Sequence, residues 1–158
     1  MCGVYGESDS SDARSNLSMI KMQEKLTEVA TLFNTNLLIM SGDFNVTISL
    51  IECSSARINK PATSQTLKAI LQQFNLTDAD GLNPKRTWRR RRQPRFYSRI
   101  DYIFASTGIQ ISKFKNNASS FSDHSCLSAE LEIGKNAKPP PPTKGLGIGY
   151  NIFPYSGF

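Results

Sequence analysis

Three short segments of this chain set groups capable of acid–base or metal chemistry beside apolar runs. They are Ser41-Gly42-Asp43-Phe44-Asn45, Ser98-Arg99-Ile100-Asp101-Tyr102-Ile103-Phe104 and Ser122-Asp123-His124. Hydrolysing a phosphodiester needs a deprotonated water in line with the leaving oxygen, neutralisation of the charge that builds at phosphorus, and help for the leaving group. Asp43 can orient or deprotonate water, and Asn45 can hold that water or a phosphate oxygen without adding repulsive charge. Gly42 lets backbone and substrate approach closely. His124, the one histidine of the chain, can be a cationic donor to a phosphate oxygen, and Asp123 beside it is a hard oxygen ligand for a metal. Asp101 can fix the His124 tautomer through a carboxylate–imidazole hydrogen bond. Each residue also has a plainer use: a turn or cap aspartate, a hydrogen-bonded surface histidine, an exposed pair on a sheet edge. An ordered set of three such segments is much harder to reach by accident.

These segments need elements to hold them, and the apolar spacing supplies candidates. Ser11 or Asp12 caps a predicted helix whose apolar positions Met19, Met22, Leu26, Val29 and Phe33 recur at three- and four-residue intervals, ending at Asn34-Thr35-Asn36. Leu37–Met40 reads as a strand buried on both faces, with Asp43 and Asn45 at its C-terminal mouth. Pro61 with Thr63 or Ser64 opens a second helix bearing Leu67, Ile70, Leu71 and Phe74 on one face. Further strands are expected at Thr87-Trp88, Ser98–Ala105, Ile109–Phe114 and Leu127–Ile133, with Trp88 as a core anchor rather than a base-stacking platform. In Ser98–Ala105 the residues Ile100, Tyr102 and Phe104 alternate with Arg99, Asp101 and Ile103, as in a half-buried strand.

Charge is concentrated in one place. Residues 85–99 hold eight of the 19 basic residues and no acid. The remainder has 11 bases against 13 acids, so the net charge of +6 is a local patch. Arginine pairs with phosphate oxygens in a planar, two-pronged way, so Arg89, Arg90, Arg91, Arg92 and Arg99 are candidate contacts to a nucleic-acid backbone. A solvated loop or a nuclear import signal is the plainer use of such a run.

The remaining features set bounds. A chain of 158 residues with 39% hydrophobic content suits one ordinary domain. Mean hydropathy is −0.35 and no long uncharged apolar run occurs, which argues against a transmembrane helix. Met1–Gly6 lacks the basic and apolar regions of a signal peptide. Cys2, Cys53 and Cys126 fit neither a disulfide framework nor zinc-ligand spacing, so reduced thiols and an intracellular, including nuclear, location are expected. Residues 1–134 form the expected domain. Residues 135–158, Pro- and Gly-rich, read as a disordered tail whose Pro139–Pro142 run could dock an SH3 or WW domain, a spacer being the plainer use.

In this order, the GDFN, RIDYIF and SDH segments resemble the signature motifs of the second half of the endonuclease/exonuclease/phosphatase superfamily, particularly the endonuclease domains of LINE-type retrotransposons. Tyr5, in Val4-Tyr5-Gly6, similarly resembles that family's tyrosine that contacts the target phosphate. The resemblance runs from Cys2 to Ile133. It implies an α/β (α+β) fold, part of a two-layered β-sandwich flanked by helices, of which this chain supplies about half and lacks the N-terminal strands. By motif, Asp43 would activate or position the nucleophile and Asn45 assist it. Asp123 and Asp43 would bind Mg²⁺, with Mn²⁺ as a substitute, His124 would hold the scissile phosphate, and Asp101 would orient His124. DNA is the implied partner, with no membrane. The family's Asn on a first strand and Glu on a following strand, the latter its main metal ligand, have no counterpart ahead of Tyr5. The expectation is therefore a truncated, weakly active or inactive DNA endonuclease with an exposed apolar sheet face. The alternatives are an inositol- or sphingolipid phosphatase of the same superfamily, and a non-catalytic remnant that binds nucleic acid.

Overall fold

The structure is a computed structural model that describes residues 1–6, 11–49, 52–54, 60–81, 85–92 and 95–134. The expected tail, with its Pro139–Pro142 run, lies outside the described residues. Helix α1 (Asp12–Leu32) starts at Ser11, whose hydroxyl accepts the Arg14 N–H at 3.4 Å, and stops at Phe33, with Asn34 in the left-handed region at φ 45°. It buries Met19 and Leu26 as the spacing predicts. Helix α2 (Pro61–Gln73) opens on proline, whose missing N–H would be unpaired there anyway, and buries Leu67 and Ile70 completely.

The cap of α2 comes from the other helix. Its N-cap, Lys60, makes no side-chain capping bond. Asp12 instead accepts the Ala62 N–H at 2.9 Å, the Thr63 N–H at 3.0 Å and the Thr63 hydroxyl at 2.7 Å. Burial pushes the Asp12 carboxyl up, but the Thr63 and Ala62 bonds and the charge of Lys60 outweigh it and leave the group below its usual 3.8. A carboxyl depressed on folding stabilises the native state above its unfolded pKa, and that contribution is lost as pH falls through the folded value. Asp12→Ala should therefore cost about 1 kcal/mol in urea unfolding at pH 7, and the difference from wild type should vanish as the pH drops well below 4. A pH-independent difference would mean that the capping charge is not what stabilises α2.

The central sheet has the order β1-β2-β6-β3, with β1 (Cys2–Tyr5) parallel to β2 (Ile39–Asp43), and β2 and β3 (Leu76–Asp78) antiparallel to β6 (Asp101–Ser106). Residues opposite one another in register project to the same face. Met40 lies between Cys2 and Phe104, and Gly42 between Val4 and Tyr102, so this row faces the helices. There Met40, Phe44, Tyr102 and Phe104 pack with Met19, Leu26, Leu67 and Ile70. The Phe44 ring meets Tyr102 and Phe104 edge-on at 5.7 and 5.3 Å. Gly42 is required: at φ 137° a Cβ would sit 1.9 Å from the Val4 carbonyl oxygen.

Two smaller antiparallel pairs complete the described fold. One is β4 (Trp88–Arg89) with β5 (Tyr97–Ser98); the other is the long hairpin of β7 (Ile109–Ala118) and β8 (Ser125–Ile133), irregular between Ser112 and Lys115. The mixed α+β class matches expectation. Several boundaries do not. The strand expected at 37–40 runs from Ile39 to Asp43, because Leu38 spends its N–H on the Ser106 hydroxyl at 2.9 Å while β1 and β6 flank the chain through Asp43. The strand expected at 98–105 is two, interrupted at Arg99-Ile100, whose N–H groups go to the Glu52 carbonyl and the Thr87 hydroxyl. The strand expected at Ile109–Phe114 continues to Ala118 because β8 begins early, at Ser125, and keeps it paired. Strands β1 and β3, at the two ends of the sheet, are too short to show periodicity. No described helix is long and apolar enough to cross a membrane.

Candidate active site

The last row of the sheet, at the C-terminal end of β2, sets two carboxylates side by side. Asp43, the last residue of β2, lies in register between Tyr5 and Asp101, on the face away from the helices. At this C-terminal end the chain tightens. Asn45, at φ 50°, donates its backbone N–H to Asp43 Oδ1 at 2.8 Å, and its amide donates to Asp43 Oδ2 at 3.0 Å and to the Gly6 carbonyl at 2.8 Å. Asn and Asp tolerate the left-handed conformation that this turn needs. Both amide hydrogens of Asn45 are thus committed within the protein. In this arrangement the Asn45 amide nitrogen holds the Asp43 carboxylate and ties it to the β1 end, so only its Oδ1 is left for the water expected from sequence. Burial raises the Asp43 pKa and the nearby Asp101 charge adds to the rise, against the Asn45 bonds and His124.

His124 arrives from the other side. Its segment pairs with β4: Trp88 and His124 form a bridge, the Arg89 N–H donates to the Asp123 carbonyl at 3.0 Å, and the Ser125 N–H to the Thr87 carbonyl at 2.7 Å. The His124 N–H goes to the Ser122 hydroxyl at 3.0 Å. In this position Nδ1 lies 3.1 and 3.0 Å from the two oxygens of Asp101, the pairing expected from sequence. Donation from Nδ1 leaves Nε2 free to face a substrate. One ligand atom each from Asp43, Asp101 and His124 can be chosen within 4.8 Å of one another.

Thr87, which sequence reasoning did not single out, positions a residue of the candidate site. Buried at 1% exposure, its hydroxyl accepts the N–H groups of Ile100 and Asp101 at 3.1 and 3.0 Å. It thereby sets where β6 begins and where Asp101 stands. Nothing in the sequence separates it from any other threonine before a tryptophan.

Other expected residues fall elsewhere. Asp123 is not among the three clustered donors; its Oδ2 accepts the Trp88 indole N–H at 3.0 Å. Trp88 is correspondingly half-buried at the cleft, not a core anchor. Tyr5 stands at the edge of the site row with 82% of its surface exposed. Arg89, Arg90, Arg91 and Arg92 are exposed, and Arg89 lines a cleft of about 540 Å³ with Arg86, Trp88, Ser122, Asp123 and His124. Arg99 does not join them. It is 2% exposed, with Nη1 2.9 Å from Glu52 Oε1 and 2.7 Å from Asp78 Oδ2, and Nη2 2.7 Å from Asp78 Oδ1. Its guanidinium also sits 4.5 Å over the Tyr102 ring, and Asp80 lies 3.7 Å from Nε. The assignment of Arg99 to a phosphate-binding surface is therefore corrected: its charge is spent on buried Glu52 and half-buried Asp78, with Glu52 also held by the Ile48 and Ser49 N–H groups.

Comparison with known proteins gives the family and the fold. Residues 1–128 match the family model described as endonuclease-reverse transcriptase. No curated protein matches the chain. Among solved structures, the 3′ phosphatase NExo from Neisseria, bound to a product DNA hairpin, superimposes with a TM-score of 0.67 at 20% identity, over 82% of this chain. The chain spans 60% of that protein's length, and the likeness shows a shared fold. With the family match extending over most of the chain, this protein belongs to the endonuclease-reverse transcriptase family of the endonuclease/exonuclease/phosphatase fold.

Proposed function

We propose that the chain carries the nucleophile-activating and phosphate-holding part of a divalent-metal-dependent phosphodiester hydrolase acting on DNA. The observation that carries this reading is the meeting of Asp43, Asp101 and His124 at one sheet end, beside a cleft edged by exposed arginines. Asp43, held by Asn45, positions and deprotonates the attacking water. Asp101 keeps the His124 proton on Nδ1 and stabilises the ring when protonated, so that Nε2 can donate to a non-bridging phosphate oxygen. Trp88 and Ser122 fix the segment that presents His124. The arginine run gathers the polyanion, and its sign favours nucleic acid as the substrate class.

Two carboxylates within reach of one another, Asp43 and Asp101, fit a hard divalent cation such as Mg²⁺ or Mn²⁺. Asp43 and Asp101 would hold it, and when bound it supplies charge neutralisation at the phosphate. Asp101 is already engaged by His124, so the hold is loose. This is the structural ground for expecting little activity from the 158 residues alone. In Mg²⁺ they should nick supercoiled plasmid at most weakly, and joining them to an N-terminal segment bearing the family's Asn and Glu should restore nicking. Robust nicking by the 158-residue chain would show that these residues suffice. No nicking by the joined protein would overturn the hydrolase reading in favour of a binding remnant.

A further inference from the structure

We propose that Phe121 is a base-contacting residue, its ring stacking on a nucleobase at the step to be cut; this rests on DNA being the ligand. The ring is 92% exposed, more than any other large apolar side chain of the described residues except the terminal Met1. An aromatic held in water forfeits the burial that usually justifies it, and such a ring is the usual anchor of an interface.

This exposure is built rather than slack. The Ser119 hydroxyl accepts the N–H groups of Phe121 and Ser122 at 3.1 and 3.3 Å. The Phe121 carbonyl accepts the Arg91 guanidinium. On the other side, the Ser122 hydroxyl takes the His124 N–H at 3.0 Å. The backbone on both sides of the ring is therefore tied down, one tie coming from the arginine run and the next leading to the site histidine.

The surroundings choose the occupant. A groove of about 310 Å³ beside the ring is lined by Arg89, Arg90, Arg91, Ser119, Ser120 and Ser122, all basic or hydroxylic. An apolar protein partner would leave these cations unpaired. A nucleic-acid strand satisfies both parts, its phosphates on the arginines and a base face on the ring. With His124 three residues away, the stacked base belongs to the step near the scissile phosphate. Phe121 would thus favour steps that unstack easily.

The test uses the full chain and a short fluorescent duplex carrying 2-aminopurine at the central step, without divalent metal so that binding alone is read. Phe121→Ala should weaken binding about tenfold with no change in the slope of affinity against salt, and Phe121→Trp should retain it. The 2-aminopurine emission change seen with wild type should be lost in Phe121→Ala. Replacing Arg89, Arg90, Arg91 and Arg92 by Ala should instead flatten the salt slope. Equal affinity of Phe121→Ala and wild type overturns the proposal, as does a dimer in sedimentation that Phe121→Ala dissociates. If wild type binds no duplex at all, the DNA reading itself has failed.

Discussion

Replacing Asp43 by Asn in the joined, active protein is expected to lower plasmid nicking by about a thousandfold or more, with little change in stability. The rate effect follows from geometry. Asp43 is the carboxylate of the cluster whose hydrogen-bond partners belong to its own turn, so it is the one free to take a proton from water. An amide of the same shape cannot. The stability effect is a near-cancellation. Burial and the neighbouring Asp101 raise the Asp43 pKa, so the native state holds that proton more tightly than the unfolded chain does. Above the unfolded value of 3.8 the ionised group therefore costs stability as pH rises, and Asn relieves that cost. Against this, an Asn side chain has one accepting oxygen where the carboxylate has two, so one of the two Asn45 hydrogen bonds is lost, at about 1 kcal/mol. Nicking that survives Asp43→Asn would remove Asp43 from the chemistry; a collapse of thermal unfolding temperature would make its role structural.

Arg99→Met should destabilise the domain by about 3 kcal/mol, the cost of leaving buried Glu52 and half-buried Asp78 without their counter-ion. Stability of small domains is commonly only about 5–15 kcal/mol, so much of the protein could be lost at 37 °C. Glu52 would keep its Ile48, Ser49 and Tyr102 bonds, while half-buried Asp78 would keep only the Asp80 N–H as a described partner. Arg99→Lys should fall between, since a single ammonium cannot span Glu52 and Asp78 as the guanidinium fork does. Urea unfolding measures both variants, and DNA binding across salt concentrations separates this role from the one expected for an arginine in the basic run. The Lys variant should leave the salt slope unchanged. A folded Arg99→Met protein of wild-type stability whose slope falls by about one phosphate contact would return Arg99 to the nucleic-acid surface.

The contrast between Arg99 and its neighbours marks the boundary between what sequence and fold each decide. Local features were readable because their causes are local. The spacing of Met19, Leu26, Leu67 and Ile70 specifies helical faces, and Pro61 marks where a helix starts. The Asp101–His124 pair was also legible, because a carboxylate on an apolar strand and a lone histidine after Ser-Asp have few other joint uses. The family itself was legible for the same reason: order and spacing of motifs survive without coordinates.

Tertiary structure alone decided which arginines face water. Residues 85–99 look uniform, yet Arg99 turns inward because Glu52, Asp78 and Asp80, from distant parts of the chain, converge where β5 gives way to β6. The same holds for Asp12, a candidate cap of its own helix by sequence that caps the other helix in space. It holds for Asp123 and Trp88, which find each other across 35 residues, and for Thr87, whose neighbours in the chain say nothing of Asp101. Periodicity reports which face of an element is apolar, since that depends on neighbours three or four residues away. Partners of polar groups depend on which elements meet, and a buried polar group must find a partner wherever the fold provides one.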